Sequence, residues 1–292
     1  MPGFENPKGH DFTLQIPGLR IAGLAWGPIE GPRVLAVHGW LDNAASFSRL
    51  APLLPHCRII AIDLPGHGLS DHVPAGFAYH FIDWVRILAT VVDALGWQRF
   101  HFLGHSMGAA AGSLFAGAFP DRLASLVLLD ALGPMTEEPE VAPLRMASGI
   151  RALRGADPPR ALRVFSDYDA AAARFCEASP GLTMLGARRI VERGMKPVSG
   201  GFVWRSDPRM RVPSLLRLTE PHVAAFFQRT ACPVLVVRAT HGWPFDPLWA
   251  ARLIGCVPRA WAIEVGGGHH VHLDAPERVF PAIAAMVGLA SG

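Results

Sequence analysis

The chain has 292 residues, half of them hydrophobic and 17% charged, a balance that supports a large core and excludes a disordered polypeptide. Lys and Arg outnumber Asp and Glu by only 27 to 24 and form no basic run, so nucleic acid gains no support as a partner. No apolar stretch approaches the roughly 18–20 residues of a membrane-spanning helix, and residues 1–8 lack the basic and apolar blocks of a secretion signal.

Residues 12–16 and 19–26 read as an opening antiparallel hairpin joined through Pro17 and Gly18. Residues 33–37 form an apolar run ending at His38-Gly39, and a helix-permissive stretch follows over 47–54. A second run, 58–62, ends in Asp63-Leu64-Pro65-Gly66-His67-Gly68, a tight turn whose polar side chains bond their own backbone. Residues 81–95 carry Ile82, Val85, Leu88, Ala89 and Val92 at helical spacing. Then 99–103 reads as a buried strand, 109–116 as a helix of small residues, and 126–129 as another strand. Short apolar runs alternating with helices predict a parallel sheet covered on both faces.

The alternation stops at Pro134. Residues 135–227 are rich in Ala, Arg and Pro, with helices expected near 141–153, 170–177, 182–193 and 220–228 and no strong strand run. Strands return at 234–237 and 261–265, and a helix over 276–289 closes the chain with Pro276 in its first turn. A structureless loop of that length is improbable inside a compact domain. The expected division is therefore a core of 1–134 and 228–292 with a helical cap of 135–227 inserted between two core strands.

Between the strand at 99–103 and the helix at 109–116 lies Gly104-His105-Ser106-Met107-Gly108. A strand, a sharp turn and a helix would hold the Ser106 hydroxyl up at the strand's C-terminal end. Serine needs a base to take its proton and a third group to orient that base. His269, directly after Gly266-Gly267-Gly268 and the last strand, is the candidate base. His270 and His272 read as packing or supporting groups. A metal reading of His-His-x-His is set aside, because no carboxylate or Cys stands at a convincing ligand spacing around it. The acid usually follows the strand after the cap, yet no carboxylate stands four or five residues past 234–237. Asp130, at the tip of the 126–129 strand, is the favoured orienting acid. Asp246 is the alternative, and doubles as a candidate N-cap.

The oxyanion donors expected are the backbone amides of Met107 and of Trp40, in the His38-Gly39-Trp40-Leu41-Asp42 loop, where His38 reads as structural. Phe202, Trp204, Phe226, Phe227 and Trp243 are candidates for an acyl pocket or for ordinary core. Arg151, Arg154, Arg188 and Arg189 read as solvated helix faces. Cys57, Cys176, Cys232 and Cys256 are widely spaced and predict reduced thiols in a soluble cytoplasmic protein.

Together, residues 38–43, 63–68, 104–108 and Gly268-His269 resemble the α/β-hydrolase superfamily across nearly the whole chain. Residues 43–47, Leu132-Gly133-Pro134, Lys196-Pro197 and 204–209 look like its serine hydrolase-like group. The resemblance implies a mostly parallel eight-stranded sheet, a cap, a triad mapping onto Ser106 and His269, and the Trp40 and Met107 amides as oxyanion hole. Haloalkane dehalogenases are similar in carrying the acid after the sixth strand, which favours Asp130. They and the epoxide hydrolases attack with Asp, whereas position 106 is Ser, so their chemistry is set aside. The function expected is hydrolysis of a small carboxylic ester or related acyl compound, without metal or organic cofactor. A thioester, lactone or carbon–carbon bond is the alternative substrate, and a silent ligand-binding protein the alternative role. A homodimer is left open.

Overall fold

The computed structural model describes residues 9–154, 162–179 and 181–289. Residues 1–8 and 290–292 of the expected core, and 155–161 and 180 of the inserted segment, lie outside the described ones.

The hairpin is β1 (His10–Ile16) and β2 (Leu19–Trp26), turned at Gly18 with φ 77°. After β3 (Arg33–Val37) the helix-permissive stretch makes only two short 3₁₀ turns, Ala44–Phe47 and Ala51–Leu53, the second opened by Pro52. Then come β4 (Arg58–Ile62), α1 (Asp83–Ala94), β5 (Phe100–His105), α2 (Met107–Ala118) and β6 (Leu123–Leu129). The inserted segment holds α3 (Ala142–Leu153), α4 (Tyr168–Ala178), α5 (Met184–Gly194), β7 (Met195–Val198), β8 (Gly201–Trp204) and α6 (Glu220–Arg229). The chain closes with β9 (Val234–His241), α7 (Pro247–Gly255), β10 (Ala260–Gly268), α8 (Val271–Asp274) and α9 (Phe280–Leu289).

Eight strands form one sheet in the order β1-β2-β4-β3-β5-β6-β9-β10. β2 pairs antiparallel with both β1 and β4, and the remaining neighbours are parallel. Period-2 alternation sorts each buried strand between two cores. Leu35, Ile60, Phe102, Leu126 and Val236 face α1, α2, α6 and α7, while Val34, Ala36, Ile59, Val127 and Leu235 face α9 and the 3₁₀ turns. Both faces are covered, which is why these strands read as unbroken apolar runs.

From β3 the chain goes to β4 on one side and then to β5 on the other. The crevice at the carboxyl ends of β3 and β5 is therefore the switch point where open α/β sheets hold ligands.

Two readings of the sequence need correcting. The inserted segment contains a hairpin, β7–β8, turned at Gly200 with φ 85°. Its strands escape pattern reading because Met195-Lys196-Pro197-Val198 carries a charge and a proline and leaves three of four residues exposed. The closing helix is also broken: Pro276–Arg278 is a 3₁₀ turn, and α9 begins at Phe280.

A third apolar cluster, built on Ala171, Ala172, Ala187, Ile190, Val191 and Met195, belongs to α4, α5 and β7. By contrast, Val223 and Phe227 of α6 join the core beside α2. Polar contacts tie the segment to the sheet's loops. Asn43 Nδ2 donates to the Ile190 carbonyl at 2.8 Å, and Tyr79 donates to Asp207 at 2.9 Å. Fully buried Asp63 pairs with Arg193 of α5 at 2.9 Å. Among the described residues, no helix is long and apolar enough to cross a membrane.

Candidate active site

Ser106 sits between β5 and α2 at φ 51°, ψ −117°, a conformation that L-residues occupy only under constraint. Its N–H donates to the Leu129 carbonyl at 3.0 Å and its carbonyl accepts from Ala110 N at 3.0 Å, so both neighbouring elements hold the turn. The flanking glycines are sterically required. A Cβ on Gly104 would lie 2.5 Å from the Ala109 Cα, and one on Gly108 would lie 2.1 Å from the Val37 carbonyl oxygen. The side chain that remains, Ser106, is partly exposed at the sheet's switch point.

Asp130 follows β6 at φ 48° and is buried. Its backbone N–H reaches the Val237 carbonyl at 2.8 Å, which anchors the residue to β9. Three N–H groups converge on its carboxylate. Ala239 N donates to Oδ1 at 2.9 Å, Trp243 N to Oδ2 at 2.7 Å, and His269 Nδ1 to Oδ2 at 2.6 Å. The loop after β9, where the commonest pattern carries an acid, here wraps the Asp130 carboxylate at the end of the neighbouring strand instead. Gly242 permits that approach, since a Cβ there would fall 2.1 Å from Asp130 Oδ2.

With Nδ1–H held by the carboxylate, His269 leaves Nε2 as a lone pair. Its ring packs 4.6 Å from that of His105, the residue before Ser106, and 6.0 Å from half-exposed Trp243. Asp246 does not join them: it is the N-cap of α7, accepting from Trp249 N at 2.7 Å.

The loop after β3 is held by two buried imidazoles. His38 Nδ1 donates to the Gly39 carbonyl at 2.7 Å and its Nε2 accepts from Leu64 N at 3.0 Å. His67 Nε2 accepts from Leu41 N at 3.2 Å, which supports Leu41 at φ 59°. Burial pushes His67 down to about 3, so it stays a neutral acceptor. Between these anchors lies Trp40, whose indole donates to the Met210 carbonyl at 3.2 Å. A Cβ on Gly39 would stand 3.1 Å from the Ser106 Cβ, so this loop and the Ser106 turn touch. Met107 is the first residue of α2, and its N–H has no acceptor within the helix.

Of the aromatic candidates, Trp243 borders this site. Phe202 and Trp204 pack on Tyr168 and Phe175 of α4, and Phe227 is core. Arg188 spends its charge on Asp169 and Glu192, while Arg151 and Arg154 are exposed.

His270 and His272 are supporting groups as read, but the sequence did not show that they join Asp42, Ser46 and His105 in one buried polar group behind His269. His105 Nε2 donates to the His269 carbonyl at 3.0 Å, Ser46 Oγ donates to Asp42 Oδ2 at 2.8 Å, and His272 Nε2 lies 2.9 Å from Ser46 Oγ. The available signal was His105 itself, an ionisable residue ending a wholly buried strand.

Comparison with known proteins places this architecture. A family model described as alpha/beta hydrolase fold matches residues 32–276. Serine hydrolase-like protein of Danio rerio is 34% identical over 283 residues, covering 92% of this chain and 85% of that one. Serine hydrolase-like protein 2 of Homo sapiens is 31% identical, covering 95% of this chain and 93% of its own. The crystal structure of a hypothetical protein from Pseudomonas aeruginosa PAO1 superposes with a TM-score of 0.89 at 36% identity, covering 97% of this chain and 99% of that one. The chain belongs to the α/β-hydrolase family, in its serine hydrolase-like group.

Proposed function

We propose that this hydrolase-family chain is a serine hydrolase that cleaves a small carboxylic ester or related acyl compound through an acyl-enzyme. Ser106 Oγ attacks the carbonyl carbon while His269 Nε2 takes its proton and passes it to the leaving alcohol. Asp130 keeps His269 in the tautomer with Nδ1 protonated and stabilises the imidazolium. The Trp40 and Met107 amides hold the oxyanion. A water activated by His269 then attacks the acyl carbon and releases the acid and free Ser106. The reaction needs no metal or organic cofactor.

The observation that carries this reading is the 2.6 Å hydrogen bond between His269 Nδ1 and Asp130 Oδ2, made at the carboxyl edge of the sheet that also carries strained Ser106. We read the segment from 135 onward as a cap over that edge, with its own apolar cluster and with α6 returning to the core. A cytosolic setting fits the four free cysteines, two of them buried.

A chain-length series of model esters, thioesters and lactones, run on wild type and Ser106→Ala, tests the reading and ranks the bond types. Ser106→Ala should lower turnover by about 10⁶ if the three residues act as a unit, and should abolish labelling by a fluorophosphonate. Unchanged turnover in Ser106→Ala defeats the mechanism, and an inert Ser106 in folded wild type favours a binding protein.

A further inference from the structure

One potential ligand atom from each of Asp42, His105 and His270, all buried, converges behind His269, and the three lie within 4.8 Å of one another. The His105–Asp42 separation is 3.7 Å and the His270–Asp42 separation 3.6 Å, too long for hydrogen bonds. The tautomer of His105 is fixed from its other side. Its Nε2 faces the His269 carbonyl, which only accepts, so Nε2 carries the hydrogen and Nδ1 of the neutral ring points a lone pair at a carboxylate. Among the described residues that Nδ1 has no hydrogen-bond partner, although His105 is only 1% exposed. A buried imidazole nitrogen and a carboxylate oxygen facing each other with nothing between them are donor atoms that a metal can bridge.

We propose that Asp42, His105 and His270 form a buried site for one divalent first-row transition cation, with zinc or cobalt as its simplest occupants. A cation about 2.0–2.2 Å from tetrahedral ligands needs ligand-to-ligand edges of roughly 3.3–3.6 Å, close to the two separations found. Two imidazoles and one carboxylate select such a metal over magnesium or calcium. The outer partners are those that metal-binding histidines and carboxylates use: His105 Nε2–H on the His269 carbonyl, and the Ser46 hydroxyl on Asp42, backed by His272. A cation there would clamp the His269 loop to the strand end that precedes Ser106. The inference is independent of the acyl chemistry proposed above.

The test uses untagged full-length protein, stripped with a chelator and dialysed against zinc or cobalt chloride, with bound metal counted by mass spectrometry. One equivalent is expected in wild type and in Ser106→Ala. X-ray absorption of the zinc form should show two imidazoles at about 2.0–2.1 Å. His105→Gln and Asp42→Asn, checked for folding by circular dichroism, should bind at least ~100-fold more weakly. The proposal is overturned by wild type without stoichiometric metal, by a zinc shell without imidazole, or by unchanged affinity in folded His105→Gln. If the substituted chains do not fold, stoichiometry and X-ray absorption on wild type decide it.

Discussion

Asp130→Asn separates charge from shape at the centre of the proposed site. The carboxylate receives three N–H donors on two oxygens, and an amide has one oxygen to offer. With the amide oxygen toward His269 and Trp243, the amide NH₂ opposes the Ala239 N–H. With the oxygen toward Ala239, the NH₂ opposes Trp243 N–H but can donate to His269 Nδ1. Each orientation leaves one backbone N–H opposed, but only the second gives the amide NH₂ an acceptor, and it forces His269 into the tautomer whose Nε2 bears the proton. That imidazole cannot take a proton from Ser106. The expected loss of kcat/KM is on the order of 10⁴, about 5 kcal/mol of transition-state stabilisation. The one buried donor left opposed should also cost about 1–3 kcal/mol of folding stability. The assay is kcat/KM on the best substrate of the acyl series, with urea unfolding of the same preparation. Asp246→Asn is the control: Asn caps a helix as well as Asp does, so activity should stay within about twofold and stability within a few tenths of a kcal/mol. A folded Asp130→Asn within tenfold of wild type, or a larger loss in Asp246→Asn, would refute the assignment.

Stability should fall in mild acid. Burial lowers His67 and His105 to about 3 from an unfolded value near 6.5, so the unfolded chain takes up protons first. Their contribution is complete above pH 6.5 and shrinks as pH falls toward 3, by roughly 2 kcal/mol for each ring at pH 5; urea midpoints unchanged between pH 7.5 and 5 would contradict this. Gly108→Ala drives a Cβ into the Val37 carbonyl and should cost at least about 3 kcal/mol or prevent folding, whereas Gly288→Ala meets nothing within 4 Å and should gain up to ~1 kcal/mol in α9. Differential scanning of the two alanine variants checks that contrast. Arg193→Met leaves buried Asp63 without its cation and should cost about 3 kcal/mol by urea unfolding; a loss under 1 kcal/mol would show that the Ala44 and Leu69 amides suffice for the carboxylate.

The sequence by itself determined everything governed by local pattern. Unbroken apolar runs at 33–37, 58–62 and 126–129 mark strands buried on both faces, and strand–Gly-x-Ser-x-Gly–helix marks the Ser106 turn because only glycine fits against Val37 and Ala109. Short irregular pieces were illegible for the opposite reason: β7 lacks alternation, and the 3₁₀ turns after β3 share their composition with helix. The sequence favoured Asp130 over Asp246 as the orienting acid, but the contacts of either carboxylate belong to tertiary structure. Only the packing of β6 beside β9 aims Ala239, Trp243 and His269 at one carboxylate and leaves Asp246 on the first turn of α7. The same holds for Asp42, His105 and His270, whose positions in the chain suggest no relation. Hydrogen bonds and metal geometry act over a few ångströms in space, and only the folded sheet with its loops brings residues 42, 105, 130 and 269 within that range.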